Sequence, residues 1–130
     1  MEKALRFNNN KLRWRNFPMF LLKPLMEVGQ YGEGKYAMYN FLKGGEQNQY
    51  LDCIKRHLEQ YESPFEPDAD KESGVNHLAH VAWNCLVAIY MLEHFPNLDD
   101  RFKLPDGLVE PKETSPQRNE SETVDELGPE

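Results

Sequence analysis

Cysteine is scarce in this chain. Cys53 and Cys85 stand apart, with no CxxC spacing, which argues against a disulfide framework or a cysteine zinc site and for a reducing cytoplasm. Long apolar runs are missing too: the longest, Leu78 to Leu92, is short for a bilayer and is interrupted by His80 and Asn84. The first residues, MEKALRFNNNK, lack the apolar core of a secretion signal. No membrane partner is therefore expected. A basic excess is absent as well, since the formal net charge is −7, and this argues against a protein that grips duplex nucleic acid by neutralising phosphates. Gly44 and Gly45 are not followed by the GxxxxGK[ST] pattern of a phosphate loop, and no internal repeat is present.

The residues that are present suffice for one small folded domain. The 130 residues are 39% apolar and 28% charged, with prolines and glycines gathered outside the apolar stretches. Residues 1–10 read as a polar arm, ending in Asn8, Asn9 and Asn10, which tolerate left-handed backbone. Residues 11–106 read as the domain. Residues 107–130 hold seven acids against Lys112 and Arg118 and are expected to form an acidic disordered tail, so the charge says little about the ligand of the domain itself.

Within the domain the pattern is helical throughout. Met19 to Val28 suits a helix, with Pro24 expected to kink or restart it and Gly29, Gly32 and Gly34 to end it. A connector runs from Lys35 to Gly45, with room for one short helical turn. Gln47 to Tyr61 is amphipathic: at 100° per residue, Tyr50, Cys53, Ile54, His57, Leu58 and Tyr61 share a side, so His57 faces inward. The segment SPFEPDADKESG, with two prolines and a run of acids, is a loop, and Ser73 is a candidate N-cap for the next helix. Val75 to Glu93 is apolar almost all round and reads as a central buried helix. The fold class is thus all-α, a small helical bundle that association with further copies would complete.

The chemistry concentrates on that last helix. His77, His80 and Asn84 fall at i, i+3 and i+7, on a single stripe. Two buried imidazoles one turn apart need a hydrogen-bond network, a metal or a ligand, and this spacing lets both rings reach one cation. His57 could join them from the preceding helix. Asp68, Asp70 and Glu72 stand just before the helix, where its dipole favours carboxylates; the functional reading turns one or two of them toward the histidines to share a divalent ion. Lys35, Lys43 and Arg56 are candidates for phosphate contacts, and Tyr36, Tyr39 or Phe41 for stacking on a base.

In order along the chain stand RFNNNKLRW, Phe17 with Pro18, GEGKYAMYNFLKG, RHL from Arg56, DADKESG from Asp68 and HLAHVAWN from His77. Together these resemble the phage dATP/dGTP diphosphohydrolase domain family, related in outline to MazG-like all-α nucleotide pyrophosphohydrolases. The resemblance implies an oligomeric all-α protein, in the host cytoplasm if phage-encoded, that cleaves a purine deoxynucleoside triphosphate to monophosphate and pyrophosphate with a divalent metal. The family pattern falls here on Gly32, Lys35, Tyr36, Asn40 and Phe41, with phenylalanine where tryptophan is usual, and on Arg56, His57, Asp68, Asp70, Glu72, Ser73, Gly74, His77 and His80. Asn8 and Arg15 occupy positions where the family usually carries acids.

The leading expectation is therefore a metal-dependent nucleoside triphosphate pyrophosphohydrolase. Its catalytic residues would be Glu72, His77 and His80. Lys35, Tyr36, Asn40, Lys43, Arg56 and Asn84 would bind substrate. His57, Asp68, Asp70, Glu72, His77 and His80 would hold magnesium, manganese or another transition metal. The alternative, motivated by Asn8 and Arg15, is a non-catalytic protein that sequesters a nucleotide-derived immune signal. Both take a nucleotide as partner and a homo-oligomer as the assembly.

Overall fold

The computed structural model describes residues 1–108. The expected disordered tail falls, from residue 109 onward, outside the described residues. Two compact units divide the described residues, one of Met19–Lys103 and one of Met1–Pro18 with Leu104–Leu108. In the latter, Asn10 adopts a left-handed backbone (φ 67°) in a turn where Lys11 N donates to Asn8 O, and Trp14–Asn16 makes a 3-10 turn.

The Met19–Lys103 unit holds three α-helices: α1 Lys23–Lys35, α2 Gln47–Glu62 and α3 His77–His94. Among the described residues there is no strand, and Ala69 with Asn76 forms an isolated antiparallel bridge. The architecture is all-α, as expected. No described helix is long and apolar enough to cross a membrane.

α1 restarts at Pro24 as expected but runs past its expected end. Pro24 sits in the first turn and opens the helix, where its missing N–H costs nothing, while a 3-10 turn at Met19–Leu22 leads in. The three glycines do not stop it. Gly29 instead lets α1 approach the Trp83 ring, which an added Cβ would meet at 3.1 Å. Trp83 packs on the buried cluster of Val28, Val75 and Ala79, with the ring of Phe41 centred 5.0 Å away, and this apolar knot fixes α1 on α3. The glycine's backbone entropy is offset by that contact.

α2 lies on α3 more extensively. Gln47 Nε2 donates to Ala88 O near one end, and His57 meets His77 near the other, so the two helices run antiparallel. The start of α2 is held from a distance: Asn48 N donates to Asp100 Oδ1, and Asn48 Nδ2 to Asp100 O. Those bonds satisfy a donor that helix geometry leaves without a partner. The expected inward face is present at His57 and Ile54, whereas Leu58 and Tyr61 are exposed.

α3 begins two residues later than its apolar pattern suggests. Val75 is still in the loop, its carbonyl accepting from Asp70 N, and Asn76 is the cap, accepting from Leu78 N through its side chain. Ser73 serves a different purpose. Nor is α3 sheathed on all sides: Met91 is wholly buried, but Leu86 and Ile89 are each 56% exposed, and Leu78, Cys85 and Leu92 are exposed with them.

Candidate functional site

The loop between α2 and α3 folds back on itself before α3 starts. Asp70 N donates to Val75 O, Gly74 N to Asp70 O, and His77 N to Asp68 O. The reversal requires a left-handed residue, and Gly74 supplies it at φ 74°. Inside the turn the carboxylate of Asp70 accepts the amides of Glu72 (3.1 Å) and Ser73 (2.8 Å), both on Oδ2. Neither bond occupies Oδ1. The loop thus fixes one carboxylate at the mouth of α3.

Against that carboxylate the two helices bring their histidines. His57 Nδ1, from α2, stands 2.9 Å from Nδ1 of His77, the first residue of α3. One ligand atom from each of His57, Asp70 and His77 lies within 4.8 Å of the others. His77 is 2% exposed, and the other two are half-buried. His80, one turn on, stacks flat on His57 with ring centres 4.4 Å apart and planes 6° from parallel, and its Nε2 is bonded to Ser73 Oγ at 2.6 Å.

Burial and neighbouring rings hold these groups in definite charge states. Desolvation lowers the proton affinity of His57, and His80 and His77 add to the effect. His80 is lowered by burial as well, against an opposing pull from Asp70. Burial pushes the Asp70 carboxyl up, but the hydrogen bonds from Ser73 and the nearby His80 and His57 outweigh it and leave Asp70 below the usual carboxylate value. At neutral pH His57 and His80 are therefore held neutral beside an anionic Asp70.

The other residues of interest surround this centre at different distances. Glu72 is exposed and turned toward α1, where Lys35 Nζ pairs with its Oε1 at 2.9 Å and Tyr31 bonds to the same side chain. Those two partners, Tyr31 first, hold the Glu72 carboxyl below its ordinary value, and Glu72 in turn raises Lys35. Asp68 is exposed and contributes its carbonyl, to His77 N. Arg56 is exposed beside His57, with Nη2 3.2 Å from Cys53 Sγ. Asn84 donates to the carbonyl of His80 at 2.8 Å. Tyr36 caps the end of α1 with its ring 5.5 Å from Lys35 Nζ, while Asn40 and Lys43 bound a 3-10 turn further along.

One participant has a role other than the expected one, and one escapes sequence reasoning. The position of Ser73 suggests a helix cap, yet its hydroxyl is the partner of His80. Tyr31, which bonds Glu72 and presents its ring edge-on to His80 at 6.5 Å, has no motif of its own. Its signal is available nonetheless: Tyr31 and Lys35 stand one helical turn apart and share a face of α1.

Comparison with known proteins identifies a family for the chain. The family model described as dATP/dGTP diphosphohydrolase, N-terminal, matches residues 1–101. A protein of Salmonella phage PMBT28, named dATP/dGTP diphosphohydrolase, is 33% identical over 89 residues, covering 65% of this chain and 30% of the relative. The chain thus aligns with under a third of that relative's length. No solved structure matches.

Proposed function

The chain belongs to the dATP/dGTP diphosphohydrolase family, in its N-terminal part, and from that premise we propose that it hydrolyses a deoxynucleoside triphosphate, purine favoured, to the monophosphate and pyrophosphate. The relative extends well beyond the aligned part, so its name alone does not assign the activity to this segment. The observation that carries the reading is the convergence of His57, Asp70 and His77, a donor set suited to a divalent ion, inside the matched region.

In this reaction a water oxygen forms a bond to the α-phosphorus, the bond from that phosphorus to the αβ-bridging oxygen breaks, and pyrophosphate leaves. His57, Asp70 and His77 would hold the divalent metal, which supplies charge neutralisation on the phosphate oxygens and lowers the proton affinity of water. Lys35 is an exposed cation paired with Glu72 of the loop and orients the triphosphate. When its ammonium turns to a phosphate oxygen, Glu72 Oε1 loses a partner that holds its proton affinity down and can take the proton of the attacking water. His80 holds Ser73 and braces His57, keeping the ligand side chains in place.

We place the activity in the host cytoplasm, where deoxynucleotides are found. The open apolar face of α3 is assigned to a second copy of the chain. The test is pyrophosphate release from dGTP and dATP by purified protein with magnesium, manganese or zinc, and its loss in Asp70→Asn. Absence of turnover with every triphosphate and metal would sink the hydrolase. Recovery of tightly bound, uncleaved nucleotide would replace it with the sequestering role.

A further inference from the structure

The facing nitrogens of His57 and His77 pose a chemical question that hydrolysis does not answer. A neutral imidazole carries one N–H, so two Nδ1 atoms 2.9 Å apart need either opposite tautomers sharing one proton or a cation between them. Two imidazole nitrogens on one ion at about 2.0–2.1 Å stand about 2.9 Å apart at a right angle and about 3.3 Å at the tetrahedral angle. The separation in this protein falls at the right-angle end of that range. A third donor completes the set: the Asp70 carboxylate, held through Oδ2 by two loop amides, has an oxygen within 4.8 Å of both rings.

The rest of the cluster is arranged as a support. His80 Nε2 is engaged by Ser73 Oγ, and the His80 ring lies flat against His57. Ser73 also donates its amide to Asp70, so one serine links the stacking ring to the carboxylate. Such contacts orient metal-binding side chains.

We infer that His57, Asp70 and His77 form a three-ligand site selective for a zinc-class transition ion over magnesium, and that the ion joins α2, the loop and α3. The inference rests on the proposed function above in naming the ion held at the same site. Two imidazoles and one carboxylate suit zinc, cobalt or nickel, whereas magnesium prefers all-oxygen, largely hydrated coordination. Three protein ligands leave positions open, as a reactive centre requires. Because the ligands come from separate segments, loading should stabilise the native fold by mass action.

The experiment uses the full chain, stripped with a chelator and titrated separately with zinc, cobalt(II) and magnesium salts under calorimetry, visible absorption and thermal melting. Expected are one zinc or cobalt ion per chain, visible cobalt ligand-field bands and a melting temperature raised by several degrees. Magnesium should bind at least a hundredfold more weakly. Asp70→Asn and His77→Gln should each weaken zinc binding about a hundredfold or more, and His94→Ala, in an exposed histidine at the far end of α3, should leave it unchanged. Asp70→Asn keeps a side-chain oxygen for the loop amides, so it separates ligand loss from misfolding. Equal affinity for magnesium, or undiminished binding in both variants, overturns the inference, and no binding replaces it with a proton-sharing histidine pair. Magnesium-driven turnover without zinc binding would defeat this inference and leave the hydrolase intact; zinc binding without turnover would do the reverse.

Discussion

At the scale of single residues, the sharpest expectations attach to groups whose partners are few and named. His80 is 8% exposed and Ser73 is the partner of its Nε2. Ser73→Ala leaves that nitrogen buried without its hydroxyl and is expected to destabilise the fold by about 1–3 kcal/mol, measured by urea unfolding. A stability equal to wild type would show that the hydroxyl is dispensable. Lys35 makes the opposite case: its ion pair with Glu72 is exposed, so Lys35→Ala should leave the melting temperature unchanged. The same variant should raise KM for the triphosphate about tenfold or more, and an unaltered KM would remove Lys35 from substrate binding.

The imidazoles also set a pH dependence. His57 and His80 bind protons less readily in the folded protein than at their ordinary value of 6.5, so below that pH the unfolded chain takes up more protons than the native one. Their contribution is complete above 6.5 and is lost on acidification toward their folded values. The melting temperature of metal-stripped protein should therefore fall between pH 7 and pH 5, and a flat or rising profile would contradict the burial of neutral rings. The histidines themselves are legible in the sequence because three polar side chains on an apolar helix stand out. Which acid joins them is not. Asp68, Asp70 and Glu72 alternate along a loop whose turn depends on Gly74, and that turn points Asp70 toward the rings and Glu72 toward Lys35.

At the scale of the helices, periodicity recovers α2 nearly residue for residue, because its polar and apolar sides differ sharply. It places the restart of α1 at Pro24 but misjudges the end of that helix, where glycine acts against its local preference. Pro24 is harmless in a first turn, and Gly29 is kept inside the helix by Trp83, a contact remote in the chain that no local rule contains. Gly29→Leu should cost about 1–3 kcal/mol by driving α1 off that ring, checked by denaturant unfolding. A neutral result would mean that Trp83 moves freely. Asn76→Ala should cost about 1 kcal/mol, since the α3 cap lies there and not at Ser73.

At the scale of the molecule, the almost wholly apolar α3 reads as central, and it is packed by α1 and α2, but it keeps an open stripe through Leu86 and Ile89. Sedimentation at micromolar concentration should show more than one chain per particle, and Ile89→Glu should reduce the particle to a monomer. A monomeric wild type would leave that stripe without its second copy. The proposed function turns on one step: hydrolysis of a nucleoside triphosphate between its α and β phosphates at the site that gathers His57, Asp70 and His77. A phosphorus-31 spectrum of dGTP incubated with protein and metal in oxygen-18 water tests it directly. Equal amounts of pyrophosphate and of dGMP carrying the heavy oxygen are predicted, with neither formed by Asp70→Asn. Intact triphosphate, or inorganic triphosphate beside free deoxyguanosine, would contradict it.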